Sequence, residues 1–189
     1  MIRAIIFDCF GVLAEDGWTP FKRKHIEPDV NLTKEIARLG ALTDKGVLSN
    51  EETIKEMARL INVPIDDLRH ALERKVPNEA LFNYIRSELK PKYKIGLLSN
   101  ANYDVVNELF LMEHTELFDA HVLSYETKLL KPDKRMFEMI AKRLGVQMEE
   151  CIYIDDKLQH VEAAQSYGMK AVQYLSLQDL IERLTNDIS

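Results

Sequence analysis

The stretch AIIFDCFGVLAED, residues 4–16, decides how this chain is read. An apolar run from Ala4 to Phe7 leads straight to Asp8, and a turn containing Gly11 follows. A run with no polar alternation fits a strand buried on both faces. Period-two alternation turns Cys9 away from Asp8. Two positions beyond Asp8 stands Phe10, a side chain with no proton to give or take. The question is whether Asp8 is a working nucleophile or the remnant of one.

Four more runs share this character: residues 94–99, 120–124, 151–155 and 170–174. Segments of helical periodicity follow four of the five. Their stripes are Val105, Val106, Leu109 and Phe110; Met136, Phe137, Ile140 and Leu144; Leu158, Val161, Ala164 and Gln165; and Leu177, Leu180, Ile181 and Leu184. Gly145 and Gly168 stand where helix C-caps are expected. Alternating strands and helices predict a Rossmann-like, doubly wound parallel sheet of five strands. The first strand breaks the rhythm, because about eighty residues separate it from the second. That interval reads as helical, with faces at Ile54, Met57, Ala58 and Ile61, at Leu68, Ala71 and Leu72, and at Leu81, Phe82, Ile85 and Leu89. Ser49 followed by Glu52 is a capping-box pattern. An interval of this length exceeds a βα loop. The expected division is a core of residues 1–14 and 81–189 with a helical cap over 15–80.

Composition narrows the class. The 189 residues are 46% hydrophobic and 30% charged, as in ordinary globular proteins. A net charge of -6 argues against a nucleic-acid surface, and the basic cluster Lys22-Arg23-Lys24 reads as a solvated face. No apolar run reaches the roughly 18 residues needed to cross a bilayer. Cys9 and Cys151 lie in predicted strands with no metal or disulfide spacing, which points to a reducing cytoplasm.

In an open parallel sheet, ligands bind beyond the carboxyl ends of the strands. Asp8, Ser99-Asn100, Lys131 and Asp155-Asp156 all fall there. Three carboxylates brought together require a cation, and oxygen ligands suit Mg²⁺. Ser99 and the amides at the start of a helix from about Ala101 offer an oxyanion cradle. Lys131 supplies positive charge, and Pro132 suits the first turn of the next helix.

The sequence resembles the haloacid dehalogenase superfamily over nearly its whole length. IIFDCFGVL is similar to its first motif, GLLSN to its second, KLLKPD to its third and YIDDKLQHVEAAQSYGM to its fourth. The insert after the first strand is similar to the cap of its subfamily I. The resemblance implies that Asp8 forms a covalent aspartyl intermediate. Catalysis would fall to Asp8, Ser99 and Lys131, and substrate binding to Ser99, Asn100, Lys131 and Gly11. Mg²⁺ would be held by Asp8, Asp155, Asp156 and the backbone carbonyl of Phe10. The implied activity is hydrolysis of a small phosphorylated metabolite. The resemblance also marks a departure, since the family's phosphatases carry an acid–base aspartate where Phe10 stands. Glu15, Asp16 and His25 are the neighbouring candidates for that task. One alternative is a catalytically impaired relative that binds metal and a ligand or protein partner. Another is a metal-independent 2-haloacid dehalogenase, with Arg23 receiving the halide. The paired Asp155-Asp156 favours the metal reading. Trp18 and Phe21 read as packing between core and cap, and His114, His121 and His160 as surface or packing residues.

Overall fold

A computed structural model describes residues 1–188. Five strands form a parallel sheet: β1 (Ala4–Phe7), β4 (Lys94–Ser99), β5 (Ala120–Leu123), β6 (Cys151–Asp155) and β7 (Lys170–Gln173). Their order is β5-β4-β1-β6-β7, so the chain winds outward on one side of β1 and then on the other. Such a reversal leaves a crevice at the carboxyl end of the central strand.

β1 is wholly buried because both faces are covered. Ile5 and Phe7 pack with α5 (Glu79–Tyr84), a π-helical turn (Ile85–Leu89), α6 (Val105–Leu109) and α11 (Leu177–Ile188). Ala4 and Ile6 pack with Met136, Phe137 and Ile140 of α9 (Lys134–Leu144) and with Ala164 of α10 (Leu158–Ser166). Gly145 ends α9 in the left-handed conformation, as its position predicts. Short helical turns, α7 (Met112–Thr115) and α8 (Ser124–Thr127), flank β5. Among the described residues, no helix is long and apolar enough to cross a membrane.

Between β1 and β4 lie α1 (Trp18–His25), α2 (Val30–Asp44), α3 (Asn50–Ile61) and α4 (Ile65–Glu73). These four helices enclose a hydrophobic cluster of their own, built on Ile26, Ile36, Leu39, Met57, Ala58 and Leu68. The Ser49–Glu52 capping box opens α3. The helical expectation omits one feature. β2 (Ala14–Asp16) and β3 (Lys75–Pro77) pair antiparallel, so a two-stranded neck carries the chain out to the helices and back. Trp18 and Phe21 stack on each other and join the helical cluster.

Two helix starts also differ from expectation. α6 begins at Val105, capped by Asp104, because the Ala101 amide donates to Ser124 Oγ and does not open a helix. α9 begins at Lys134 with Asp133 as its cap, which places Pro132 in the preceding loop.

Candidate active site

Asp8 follows β1 directly, and its amide donates to the Ile154 carbonyl, which keeps it in line with the sheet. The register Phe7↔Leu97 on one side and Phe7↔Ile154 on the other carries Asp8, Ser99 and Asp155 out of one edge within two residues. Lys131 arrives on the loop between α8 and α9. The Asn100 side chain fixes that loop, accepting from the Lys131 amide at 2.8 Å and donating to the Lys131 carbonyl at 3.2 Å.

Lys131 is the hub. Its Nζ lies 2.7 Å from Asp8 Oδ1 and 2.9 Å from Asp155 Oδ2, and donates to the Tyr153 hydroxyl at 2.8 Å. Asp8 Oδ1 also accepts from the Cys9 amide at 2.7 Å. Asp155 is surrounded by donors. Oδ2 accepts from Lys131, from the Tyr153 hydroxyl and from His160 Nδ1 at 2.9 Å, while Oδ1 accepts from the Lys157 amide at 2.8 Å. Asp8 and Lys131 are each only 4% exposed, and Asp155 and Ser99 are fully enclosed. At this sheet edge two buried oxygens, Ser99 Oγ and Asp156 Oδ1, stand without a hydrogen-bond partner. A buried polar atom without a hydrogen bond is costly, so both mark places for a ligand.

The electrostatics follow from this packing. Burial pushes the Asp8 carboxyl up, against the pull of Lys131. Burial also acts to raise Asp155, but the Lys131 charge and the hydrogen bonds from His160 and Tyr153 outweigh it and hold this carboxyl well below the usual range. For Lys131 the two carboxylates overcome burial and raise its affinity for the proton. Burial, with the Asp8 charge beside it, pushes Asp156 up to about 6.

The donor set fits a hard divalent cation. Asp8, Asp155 and Asp156 each bring an oxygen within 4.8 Å of the others, and the orphaned Asp156 oxygen is the natural complement of a metal. Gly11 permits this approach. Its φ is +86°, and a Cβ there would stand 2.7 Å from the Asp156 carboxyl carbon. The Gly11 amide itself donates to the Ala14 carbonyl.

The remaining sequence candidates fall elsewhere. Phe10 is half-buried against the core cluster. Asp16 accepts from the Thr19 amide at the start of α1, Glu15 is exposed, and His25 packs against the Phe21 ring. Arg23 is exposed on α1. His114 stacks on Phe82, as a packing residue should. His160 corrects its expectation, because it reaches into the site. Sequence reading also missed Tyr153. The signal was present, since Tyr153 and Asp155 sit two apart on one strand and so share a face.

A buried aspartate held by a lysine thus stands at the crevice of a parallel sheet, with further carboxylates close enough to share one cation. The chain belongs to the haloacid dehalogenase-like hydrolase family, whose model it matches over residues 2–168. It is 29% identical to the phosphatase MT3486 of Mycobacterium tuberculosis, over 90% of this chain and 86% of that protein. It is 23% identical to the drimenol cyclase drtB of Aspergillus calidoustus over 98% of this chain, but spans only 36% of that protein. Among solved structures, a HAD-like family hydrolase of Porphyromonas gingivalis aligns with a TM-score of 0.71 and 27% identity, over 100% of this chain and 98% of that one. The HAD family enzyme BT-2542 of Bacteroides thetaiotaomicron, solved with magnesium and inorganic phosphate, shares the fold at a TM-score of 0.66 and 21% identity, covering 95% and 99%.

Proposed function

We propose that the protein is a magnesium-dependent phosphatase of a small phosphorylated metabolite, acting through an aspartyl-phosphate on Asp8. The observation that carries this reading is the pair of orphaned buried oxygens, Ser99 Oγ and Asp156 Oδ1, on the edge that also holds the Asp8–Lys131 ion pair. Magnesium between Asp8 and Asp156 would neutralise both carboxylates and polarise the phosphoryl oxygens. Asp155 holds Lys131 in place through Oδ2, and its Oδ1, which accepts from the Lys157 amide alone, keeps a lone pair that would face the same cation. The phosphatase relative from Mycobacterium tuberculosis supports the same chemistry.

In this mechanism Asp8 attacks phosphorus while Ser99 Oγ binds a phosphoryl oxygen and the charge of Lys131, whose three donors are held by Asp8, Asp155 and Tyr153, offsets that of the phosphoryl group. The ester oxygen leaves, and water then cleaves the aspartyl-phosphate to regenerate Asp8. Much of phosphoryl transfer is positioning and charge neutralisation, which these residues supply. Protonation of the leaving oxygen is what Phe10 cannot provide, and a general acid contributes about 10²–10⁴-fold. Esters with good leaving groups are therefore favoured. The helical insert acts as the cap that selects the substrate, and it must part from the core to expose a nucleophile only 4% accessible. Two free, buried thiols suit a reducing cytoplasm.

A second reading rests on Phe10 alone: an impaired relative that keeps the metal and phosphate sites without turnover. Incubation with Mg²⁺ and an activated aryl phosphate separates the two. Turnover lost in Asp8→Asn carries the enzyme. A silent parent with activity gained in Phe10→Asp transfers the case to the impaired relative. Halide release from a 2-haloacid in the presence of chelator would overturn both.

A further inference from the structure

Lys75 has no part in the chemistry above, yet it stands beside it. It opens β3, opposite Asp16 of β2, at the neck between the Asp8 loop and the helical insert. Its Nζ lies 4.4 Å from the centroid of the Tyr103 ring and 5.3 Å from that of Phe10. It donates one hydrogen bond, to the Tyr103 hydroxyl at 2.7 Å. Among the described residues no carboxylate pairs with it, and Asp16, Glu73 and Glu108 act on it only through space. An ammonium has three N–H donors, so two remain. Burial lowers its affinity for the proton. A solvated lysine is rarely held against two ring faces, one of them two residues from the nucleophile.

We propose that Lys75 and the Tyr103 hydroxyl form a subsite for a second anionic group, a carboxylate or phosphate, on the organic part of the substrate. This rests on the phosphatase reading, which sets the phosphoryl group against Ser99 and Lys131 and leaves the organic part to run toward the neck. The anion takes the free N–H donors of Lys75 and the proton of Tyr103. The Phe10 ring then covers the hydrocarbon between the two charges. A hydrophobic residue at position 10 thus gains a role in substrate choice.

The test is calorimetric binding in Mg²⁺ of non-hydrolysable phosphonates with two to four carbons, each as a matched set ending in methyl, carboxylate or phosphonate. The parent is expected to bind at least one anion-terminated member about tenfold tighter than its methyl counterpart, with the two anionic arms distinguishing carboxylate from phosphate. Lys75→Met should erase the preference, Lys75→Arg keep most of it, and Tyr103→Phe reduce it in part. Circular dichroism checks that each variant is folded. Equal binding of charged and uncharged members, or a preference that survives Lys75→Met, overturns the subsite and leaves the phosphatase reading standing. Failure of every phosphonate to bind overturns both.

Discussion

The sheet edge and the helical insert differ in where they keep polar groups. At the edge, Asp8, Ser99, Lys131, Asp155 and His160 lie inside the protein, each no more than 4% exposed. In the insert, the buried polar residues are Thr43 and Thr53, whose hydroxyls satisfy each other at 2.5 Å. Its charges stay on the surface in pairs such as Glu35–Arg38 and Glu56–Arg59. Surface pairs contribute roughly 0–1 kcal/mol each, whereas a buried charge that loses its partner costs about 3–5 kcal/mol. The core therefore concentrates its energetic liability at one place, and the insert carries only the smaller one at Asp44, on its seam with the core. Under the proposed function, chemistry belongs to the first region and shape to the second.

Two truncations break this comparison most strongly. Phe137 packs edge-on against Tyr153 at 5.2 Å, directly beneath the Lys131 hub. Phe137→Ala should cost about 3–5 kcal/mol in urea unfolding. It should also loosen Lys131, lowering turnover of an aryl phosphate in the protein that remains folded. Leu68 is the fully buried centre of the helical cluster, and Leu68→Ala should cost about 2–4 kcal/mol. Its mark is local, with amides of α1–α4 exchanging faster while those of β1 and β6 stay protected. Equal loss of protection in both regions would show that the insert does not open by itself.

How far the sequence foretold this arrangement depends on the range of the signal. β4 and β6 match their expected limits, because a strand buried on both faces needs an unbroken apolar run such as KIGLLS or CIYID. Asp8, Ser99 and Asp155-Asp156 were legible because strand ends place them, whereas Lys131 comes from the loop after α8. The β2–β3 neck was not, since each strand has three residues and finds its partner about sixty positions away. α1 and α2 escaped notice for another reason. Their buried residues are few, with none buried in α1 and Ile36, Leu39 and Thr43 in α2. The saturation of Asp155 by Tyr153 and His160, and the seat of Lys75 between two rings, depend on side-chain packing that no spacing rule encodes.

The seam between the two regions holds one misplaced charge. Asp44 ends α2, where a carboxylate meets the negative end of the helix dipole. Burial raises it from 3.8 to about 6, with Lys157 across the seam pulling the other way. The folded state holds this proton more tightly than the unfolded chain, so stability falls as pH rises from about 4 to about 6. The full cost, about 3 kcal/mol, is present above that window. Asp44→Asn should therefore raise the melting temperature at pH 8 and leave it nearly unchanged at pH 4. A pH-independent gain would place the effect in the dipole or in packing, not in ionisation.

The smallest effect tests the insert at its surface. Ser49 Oγ accepts from the Glu52 amide at 3.3 Å, and the Glu52 carboxylate returns to the Ser49 amide at 3.0 Å. Ser49→Ala removes the first bond and exposes an orphan donor at the start of α3, a change worth about 1 kcal/mol. The hydrogen bond from Ser49 also holds the Glu52 carboxyl below its ordinary value. That contribution is present above the ordinary glutamate range and lost as pH falls through the lowered value. The Ser49→Ala deficit should accordingly be larger at pH 7 than at pH 3. Because α3 belongs to the insert, the deficit should appear as faster amide exchange in α2–α4, with turnover of a small aryl phosphate unchanged. A drop in turnover equal to that from Phe137→Ala would mean that core and insert act as a single cooperative unit, and the division between chemistry and shape would fall with it.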